Sequence, residues 1–266
     1  MFFYGMTDIG RKRATNQDSF LTRRFCDNVA LFVLCDGMGG TNGGNIASGL
    51  AATTFADFIE NAVSELIGDD GTFVFDLSFS PMELMQDAVT AANSAVFKRS
   101  RENSELSNMG TTLVCALIIN SKMYIANVGD SRLYSCVHGQ LEQLTHDHSY
   151  VQMLVDMQRI TKEEAATHPS RNILTRAVGT ESSVEADVTV YDLPKNELYF
   201  LLCSDGLYNF LSEENICNII ESPAEGDEDD YEEELCSKTK RLIDCANEGG
   251  GGDNITAILI KKLADE

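Results

Sequence analysis

Basic residues are scarce in this chain. Of its 266 residues, 20 are Lys or Arg against 42 Asp or Glu, a formal net charge of -22. Non-specific nucleic-acid binding needs a cationic surface, and so does docking to anionic lipid, so neither a nucleic acid nor a membrane surface is expected as a partner. Long apolar runs are missing as well: no stretch approaches the ~20 residues that span a bilayer. The first eight residues lack the basic and apolar regions of a secretory leader. Histidine occurs 4 times, never in a His-Glu-x-x-His pattern, and none of the 8 cysteines forms a Cys-x-x-Cys pair. Both absences speak against a zinc site. Cys35, Cys115 and Cys203 sit inside apolar, strand-like runs, where a free thiol behaves as a small hydrophobe rather than half of a disulfide. The expectation is a soluble protein of a reducing compartment, the cytoplasm.

What is present suffices for a large core, since 43% of the residues are hydrophobic. No linker or fixed-period repeat interrupts the chain, which reads as one domain over residues 1–266. Apolar residues Ile46, Leu50, Phe55, Phe58, Ile59, Ala62, Val63 and Leu66 recur at helical spacing and predict a helix over 45–67. A second helix is expected from Pro81, because proline fits a first-turn position. Residues 111–119 and 122–128 read as a β-hairpin through Asn120-Ser121, and 131–137 as the next strand. The segment 149–168 reads as helical, with Thr161 and Glu164 at capping-box spacing. Its place between strands suggests a subdomain of about 147–178 inserted over one end of the sheet. Ser212 followed by two acids opens a further helix. The acidic stretch of about 222–234 reads as a solvated loop ahead of a helix over 234–247, or else as a docking site for a basic partner.

Chemistry enters at the ends of strands. Two apolar runs pass directly into Asp-Gly pairs, Asp36-Gly37 and Asp205-Gly206. Asp130 follows Gly129 after another strand, and Asp253 precedes the last one. Any one Asp-Gly is most often just a turn. Four aspartates at the ends of core strands point instead to a hard cation, because carboxylates, backbone carbonyls and water are the donors Mg2+ and Mn2+ prefer. Arg13, in the polar turn before Asn16-Gln17-Asp18, is a candidate clamp for an anion, since guanidinium grips phosphate oxygens in pairs. Divalent ions beside an anion clamp suggest a phosphorylated substrate.

In order along the chain, Thr7-Asp8-Ile9-Gly10, Arg13, Asn16-Gln17-Asp18, Asp36-Gly37-Met38-Gly39-Gly40 and Gly110-Thr111-Thr112 match one family. The series continues with Asn127-Val128-Gly129-Asp130-Ser131-Arg132, Leu144-Thr145-His146-Asp147-His148, Cys203-Ser204-Asp205-Gly206-Leu207 and Asp253-Asn254-Ile255-Thr256. This set resembles the PPM family of metal-dependent type-2C protein serine/threonine phosphatases, in particular its compact bacterial members. The resemblance implies an α+β fold, a four-layer α-β-β-α sandwich of two antiparallel sheets flanked by helices, with a small helical flap. It implies hydrolysis of phosphoserine and phosphothreonine by a water shared between metal ions. By the same resemblance, two core Mn2+ or Mg2+ ions are bridged by Asp36, with the Gly37 carbonyl, Asp205 and Asp253 completing their sites. Asp130 with Asp205 matches a third metal position. Arg13 holds the substrate phosphate, and Asp18 supports the metal-bound waters.

The implied partners are phosphorylated proteins and a cognate serine/threonine kinase, and the implied state is a monomer. A non-catalytic relative that only binds phosphoproteins is the alternative, although such relatives typically lose metal carboxylates that are all present here. The chain departs from the family pattern at Met38, where many eukaryotic members carry a histidine, and at Thr41 and Asn45, where many bacterial members carry His and Glu. Gln17 stands where several relatives place an acid. The proton for the leaving alkoxide then falls to His148, His168 or a metal-bound water.

Overall fold

The chain is described by a computed structural model that covers residues 1–68, 70–74, 79–102, 104–223 and 230–264. In chain order the elements are β1 (Phe2–Asp8), β2 (Asp18–Cys26), β3 (Val29–Met38), α1 (Gly40–Ser64), α2 (Pro81–Glu102), β4 (Gly110–Thr111), β5 (Leu113–Ile119), β6 (Lys122–Val128), β7 (Arg132–Val137) and β8 (Gln140–Gln143). They continue with α3 (Tyr150–Asp156), α4 (Lys162–Ala166), β9 (Asp187–Asp192), β10 (Leu198–Cys203), α5 (Asp205–Tyr208), α6 (Glu213–Ile220), α7 (Tyr231–Glu248) and β11 (Ile255–Lys262).

Alternation within the apolar strands builds the layers. In β3, Val29, Leu31, Val33 and Cys35 face one way and Ala30, Phe32 and Leu34 the other, as a pleated strand requires. The first set packs with Ala51, Phe55, Ile59 and Val63 of α1 and Met85, Val89 and Val96 of α2. The second set meets Phe200 and Leu202 of β10 and Ile258 and Ile260 of β11. The alternate residues of β10, Tyr199, Leu201 and Cys203, pack with Leu207, Ile216 and Leu242 of α5, α6 and α7. Helix, sheet, sheet and helix are therefore joined by three apolar interfaces, the α-β-β-α sandwich that the family resemblance implies. Phe32 is fully buried between the sheets, so truncating it to alanine costs about 3–5 kcal/mol.

The sheets run β1-β11-β10-β7-β8 and β2-β3-β5-β6-β9, with β4 paired to β3, and their pairings are antiparallel. Register matters at one end of the sandwich. Asp18 lies directly opposite Asp36 across β2 and β3, and Cys203, the last residue of β10, opposite Ala257 of β11. Strand ends from both sheets thus deliver acids to the same rim. Among the described residues, no helix is long and apolar enough to cross a membrane.

Several elements differ from the sequence expectation. α1 begins at Gly40, inside the glycine-rich turn, instead of at 45, and ends at Ser64. Its glycines are there for close packing: a Cβ on Gly43 would lie 3.1 Å from the Met109 side chain and one on Gly44 2.7 Å from that of Gln17. The single helical segment expected over 149–168 is two short helices. Gln158 takes the left-handed conformation (φ 55) and ends the first, and the second starts with the expected Thr161–Glu164 capping box. α7 starts at Tyr231, capped by the Asp230 carboxylate on the Glu233 N–H. Of the acidic stretch, residues 224–229 lie outside the described residues. Its last member, Glu234, is 5% exposed and ion-paired, not solvated, because the helix turns it onto β10 and β11.

Candidate active site

A cavity of about 440 Å³ opens at the rim and is lined by Arg13, Asp36, Gly37, Asp130, Asp205 and Asp253, together with Met38, Asn172 and Leu174. Residues up to 240 positions apart in sequence meet there. Each acid arrives by a local device. Asp36 is carried by β3, where its N–H donates to Thr112 Oγ1 (2.8 Å) and its carbonyl accepts from Thr112 N–H and Thr111 Oγ1 (both 2.8 Å). Asp205 stands in the first turn of α5, after Ser204 at the N-cap. Asp130 sits between β6 and β7, its carbonyl accepting from Tyr208 O–H (2.9 Å). Asp253 precedes β11 and accepts from Arg13 Nη2 (2.6 Å) and Asn254 N–H (2.9 Å).

The glycines of both Asp-Gly pairs have a steric reason. A Cβ on Gly37 would stand 2.1 Å from the Gly44 carbonyl oxygen, and one on Gly206 1.9 Å from that of Asn254. Only glycine lets those backbones approach.

Asp18 lies behind the cavity, 8% exposed. Its Oδ2 accepts from Ser204 Oγ (2.7 Å) and Thr256 Oγ1 (2.6 Å). Asn254 holds the Arg13 turn: its Nδ2 donates to the carbonyls of Ile9 (2.9 Å) and Thr15 (3.0 Å), and its Oδ1 accepts from Gln17 N–H (2.8 Å). Ser204, Asn254 and Thr256 have no role in the sequence reading. Their signal was their adjacency to Asp205 and Asp253. Arg132 forms a part-buried pair with Asp147 (2.7 Å) and lies over the Tyr208 ring, 3.7 Å from its centroid, bracing the segment that carries Asp130.

Electrostatically the basin is unbalanced. Burial, then the charges of Asp18 and Asp205, hold the Asp36 carboxyl well above the usual carboxylate range. Burial and the neighbouring Asp130 do the same to Asp205. Asp130 is pushed up to about 7 by burial and Asp147, and Asp18 to about 6, chiefly by burial. Arg13 is the cation among the lining residues, and its hydrogen bond to Asp253 raises its own pKa. Oδ1 of Asp18 and Oδ1 of Asp205 are buried without a hydrogen-bond partner. Such atoms cost free energy unless something satisfies them. Crowded carboxylate oxygens with unfilled lone pairs fit a hard divalent cation.

The expected histidines are not brought to the basin. His148 is 4% exposed; its Nδ1 accepts from Gly129 N–H (3.2 Å) and its Nε2 lies 3.1 Å from Asp187 without the alignment of a hydrogen bond. Burial lowers its pKa. His168 Nδ1 accepts from Ser170 N–H (3.1 Å) in the turn after α4. Neither lines the cavity. Met38 does, and the side chain of Thr41 lies outside the described residues.

Comparison with known proteins agrees with this geometry. The family profile described as protein phosphatase 2C matches residues 11–255. The serine/threonine phosphatase Stp of Listeria monocytogenes serotype 4b is 35% identical over 257 residues, 96% of this chain and 94% of that protein. The crystal structure of the serine/threonine phosphatase Stp1 from Staphylococcus aureus superposes with a TM-score of 0.83 and 33% identity, covering 99% of this chain and 94% of that one. The catalytic domain of the serine/threonine phosphatase PstP, in complex with two manganese ions, gives a TM-score of 0.79 at 32% identity, covering 99% and 98%.

Proposed function

This chain belongs to the protein phosphatase 2C family, and we propose that its acidic basin is the catalytic centre of a metal-dependent protein serine/threonine phosphatase. One observation carries the reading: Asp36, Asp130, Asp205 and Asp253 converge on a single cavity beside Arg13, with buried Asp18 behind them. Asp36, the Gly37 carbonyl, Asp205 and Asp253 would hold two Mn2+ or Mg2+ ions, and Asp130 with Asp205 a third. When bound, such ions act as Lewis acids that screen phosphoryl charge and make water nucleophilic at neutral pH.

The protein's own residues do the rest. Arg13 stays cationic and can exchange one oxygen of Asp253 for the substrate phosphate, orienting it through paired N–H donors. Asp18, fixed by Ser204 and Thr256, keeps one unpartnered oxygen that can accept a proton or a water hydrogen. Asn172 and Leu174, in the segment after α4, line the cavity and narrow the path of bulk water. With no histidine among the described lining residues, the leaving alkoxide takes its proton from water held by these groups.

Phosphoproteins are the substrates on this reading, a cognate serine/threonine kinase is the opposing enzyme, and the protein works as a cytoplasmic monomer. A charge of -22 supports the last point, since strong like charge keeps copies apart. The full carboxylate set leaves the phosphoprotein-binding, non-catalytic alternative without an observation in its favour. The test is phosphate release from a phosphothreonine peptide with Mn2+, expected to vanish with a chelator. A chain that binds the peptide but releases no phosphate would overturn the enzymatic reading.

A further inference from the structure

At the far end of β7 lies a second cluster of metal-ligating groups, unrelated to the acidic basin. Cys136 of β7 and Cys217 of α6 are 81 positions apart in sequence, yet their Sγ atoms stand 3.0 Å from each other. Both are buried, at 1% and 4% exposure. The carboxylate of Glu221, at the C-terminal end of α6, joins them, so that one ligand atom from each of the three lies within 4.8 Å of the others. Glu221 is already oriented, its Oε2 accepting from Gly139 N–H (2.7 Å). Cys136, Glu221 and His138 border a common cavity of about 560 Å³, which supplies a route of entry and a fourth donor beside it. Four residues of strand separate Cys136 from Arg132, about 13 Å, so the cluster is distinct from the catalytic centre.

We propose that Cys136, Cys217 and Glu221 form a binding site for a thiophilic divalent cation of the zinc class, with water or His138 as the fourth ligand. The donor set is the reverse of the basin's. Two sulfurs and one carboxylate suit a borderline-soft ion, whereas an all-oxygen set suits Mn2+ or Mg2+. Two thiolates on one tetrahedral zinc lie about 3.8 Å apart, so binding spreads the pair by less than an ångström. Coordination releases two thiol protons to solvent and leaves the thiolates and Glu221 neutralised by the ion except for one charge. A disulfide would account for the two sulfurs but not for Glu221, whose negative charge opposes the thiolate that disulfide exchange needs. A cation accounts for all three. The site would clamp α6 to β7 and stabilise that layer.

Cadmium reads the site without interference from the basin, because only thiolate ligands give a sulfur-to-cadmium absorption band in the ultraviolet. Chelated, reduced full-length protein titrated with Cd2+ in excess Mg2+ is expected to develop this band at one equivalent and to melt at higher temperature. Cys217→Ser is expected to lose the band and the thermal shift. Glu221→Gln, an exposed position that keeps the fold, is expected to weaken Cd2+ or Zn2+ affinity at least tenfold, and Cys236→Ser to change neither. Phosphatase activity with Mn2+ is expected to survive all three substitutions. Absence of the band in the wild type, or its persistence in Cys217→Ser, overturns the proposal. So does loss of both thiols to a disulfide that forms readily in air and blocks metal uptake.

Discussion

Two buried ionisable clusters in this protein are built on opposite principles. In the basin, Asp18, Asp36, Asp130 and Asp205 crowd together with their pKa values raised. At the ends of β10 and β11 away from the basin, Glu234 is also buried, at 5% exposure, but three donors meet it. Its Oε1 accepts from Tyr199 O–H and Lys238 Nζ (both 2.6 Å), and its Oε2 from Lys261 Nζ (2.9 Å). Burial alone would raise the Glu234 pKa; the hydrogen bonds from Lys238, Lys261 and Tyr199 outweigh it and bring it down to about 2. A buried charge that holds the fold together comes with its counter-charges in the chain. A buried charge meant for a ligand lacks them.

Substitutions should separate the two clusters, and the largest effect is expected at Asp36. Asp36→Asn should lower the Mn2+-dependent rate of phosphate release by roughly three orders of magnitude, as loss of a metal ligand forfeits several kcal/mol of transition-state stabilisation. The same change should raise the melting temperature of the chelated protein, because it removes a charge with no counter-ion. A lowered melting temperature would mean that the basin is not electrostatically frustrated.

Glu234→Gln should do the opposite, leaving activity in place while destabilising the fold by about 3–5 kcal/mol, since two lysines lose their carboxylate. Urea unfolding measures this, and a loss below about 1 kcal/mol would class the network with surface ion pairs.

Next comes pH. Raised carboxyls bind more protons folded than unfolded, so stability of the chelated protein should fall as pH rises from the ordinary carboxylate range, about 4, through about 6 for Asp18 and about 7 for Asp130. The fall for Asp18 is on the order of 3 kcal/mol. Glu234 acts in the other direction: its contribution is complete above the unfolded value of 4.5 and is lost as pH drops through about 2. Thermal unfolding at pH 5 and pH 8, with chelator and with Mn2+, should show the decline only in chelator. Equal stability at both values without metal would contradict the burial of charge in the basin.

The smallest effect is expected at Arg13, half-exposed in the turn. Arg13→Ala should raise the KM for a phosphothreonine peptide about tenfold, near 1.4 kcal/mol, with a smaller change in kcat. An unchanged KM would remove Arg13 from phosphate binding.

Much of the fold was legible because its strands carry their own evidence. The runs ending at Asp36 and Cys203 are apolar on both faces, and each does lie between two cores. The acids and Arg13 were legible too, since strand ends and glycines are local features. Glu234 was not: it reads as part of a solvated acidic stretch, and the lysine that neutralises it from β11 is 27 positions away. The start of α1 was hidden because its glycines look like a turn until Met109 and Gln17 pack against them. His148 and His168 looked like acids for catalysis, but one supports Gly129 and the other caps its own turn.

By itself the sequence determined the period of each strand and helix, the kinds of donor available and a surplus of negative charge, because these depend on residues a few positions apart. Only the tertiary structure decided which donors meet. Asp18 is held by Ser204 and Thr256 from 186 and 238 positions away, and Cys136 is brought against Cys217 although no spacing rule links them. The physical reason is burial: a carboxylate or thiol changes its proton affinity and its choice of ligand when packing removes water from around it. Packing joins segments that the order of the chain keeps apart.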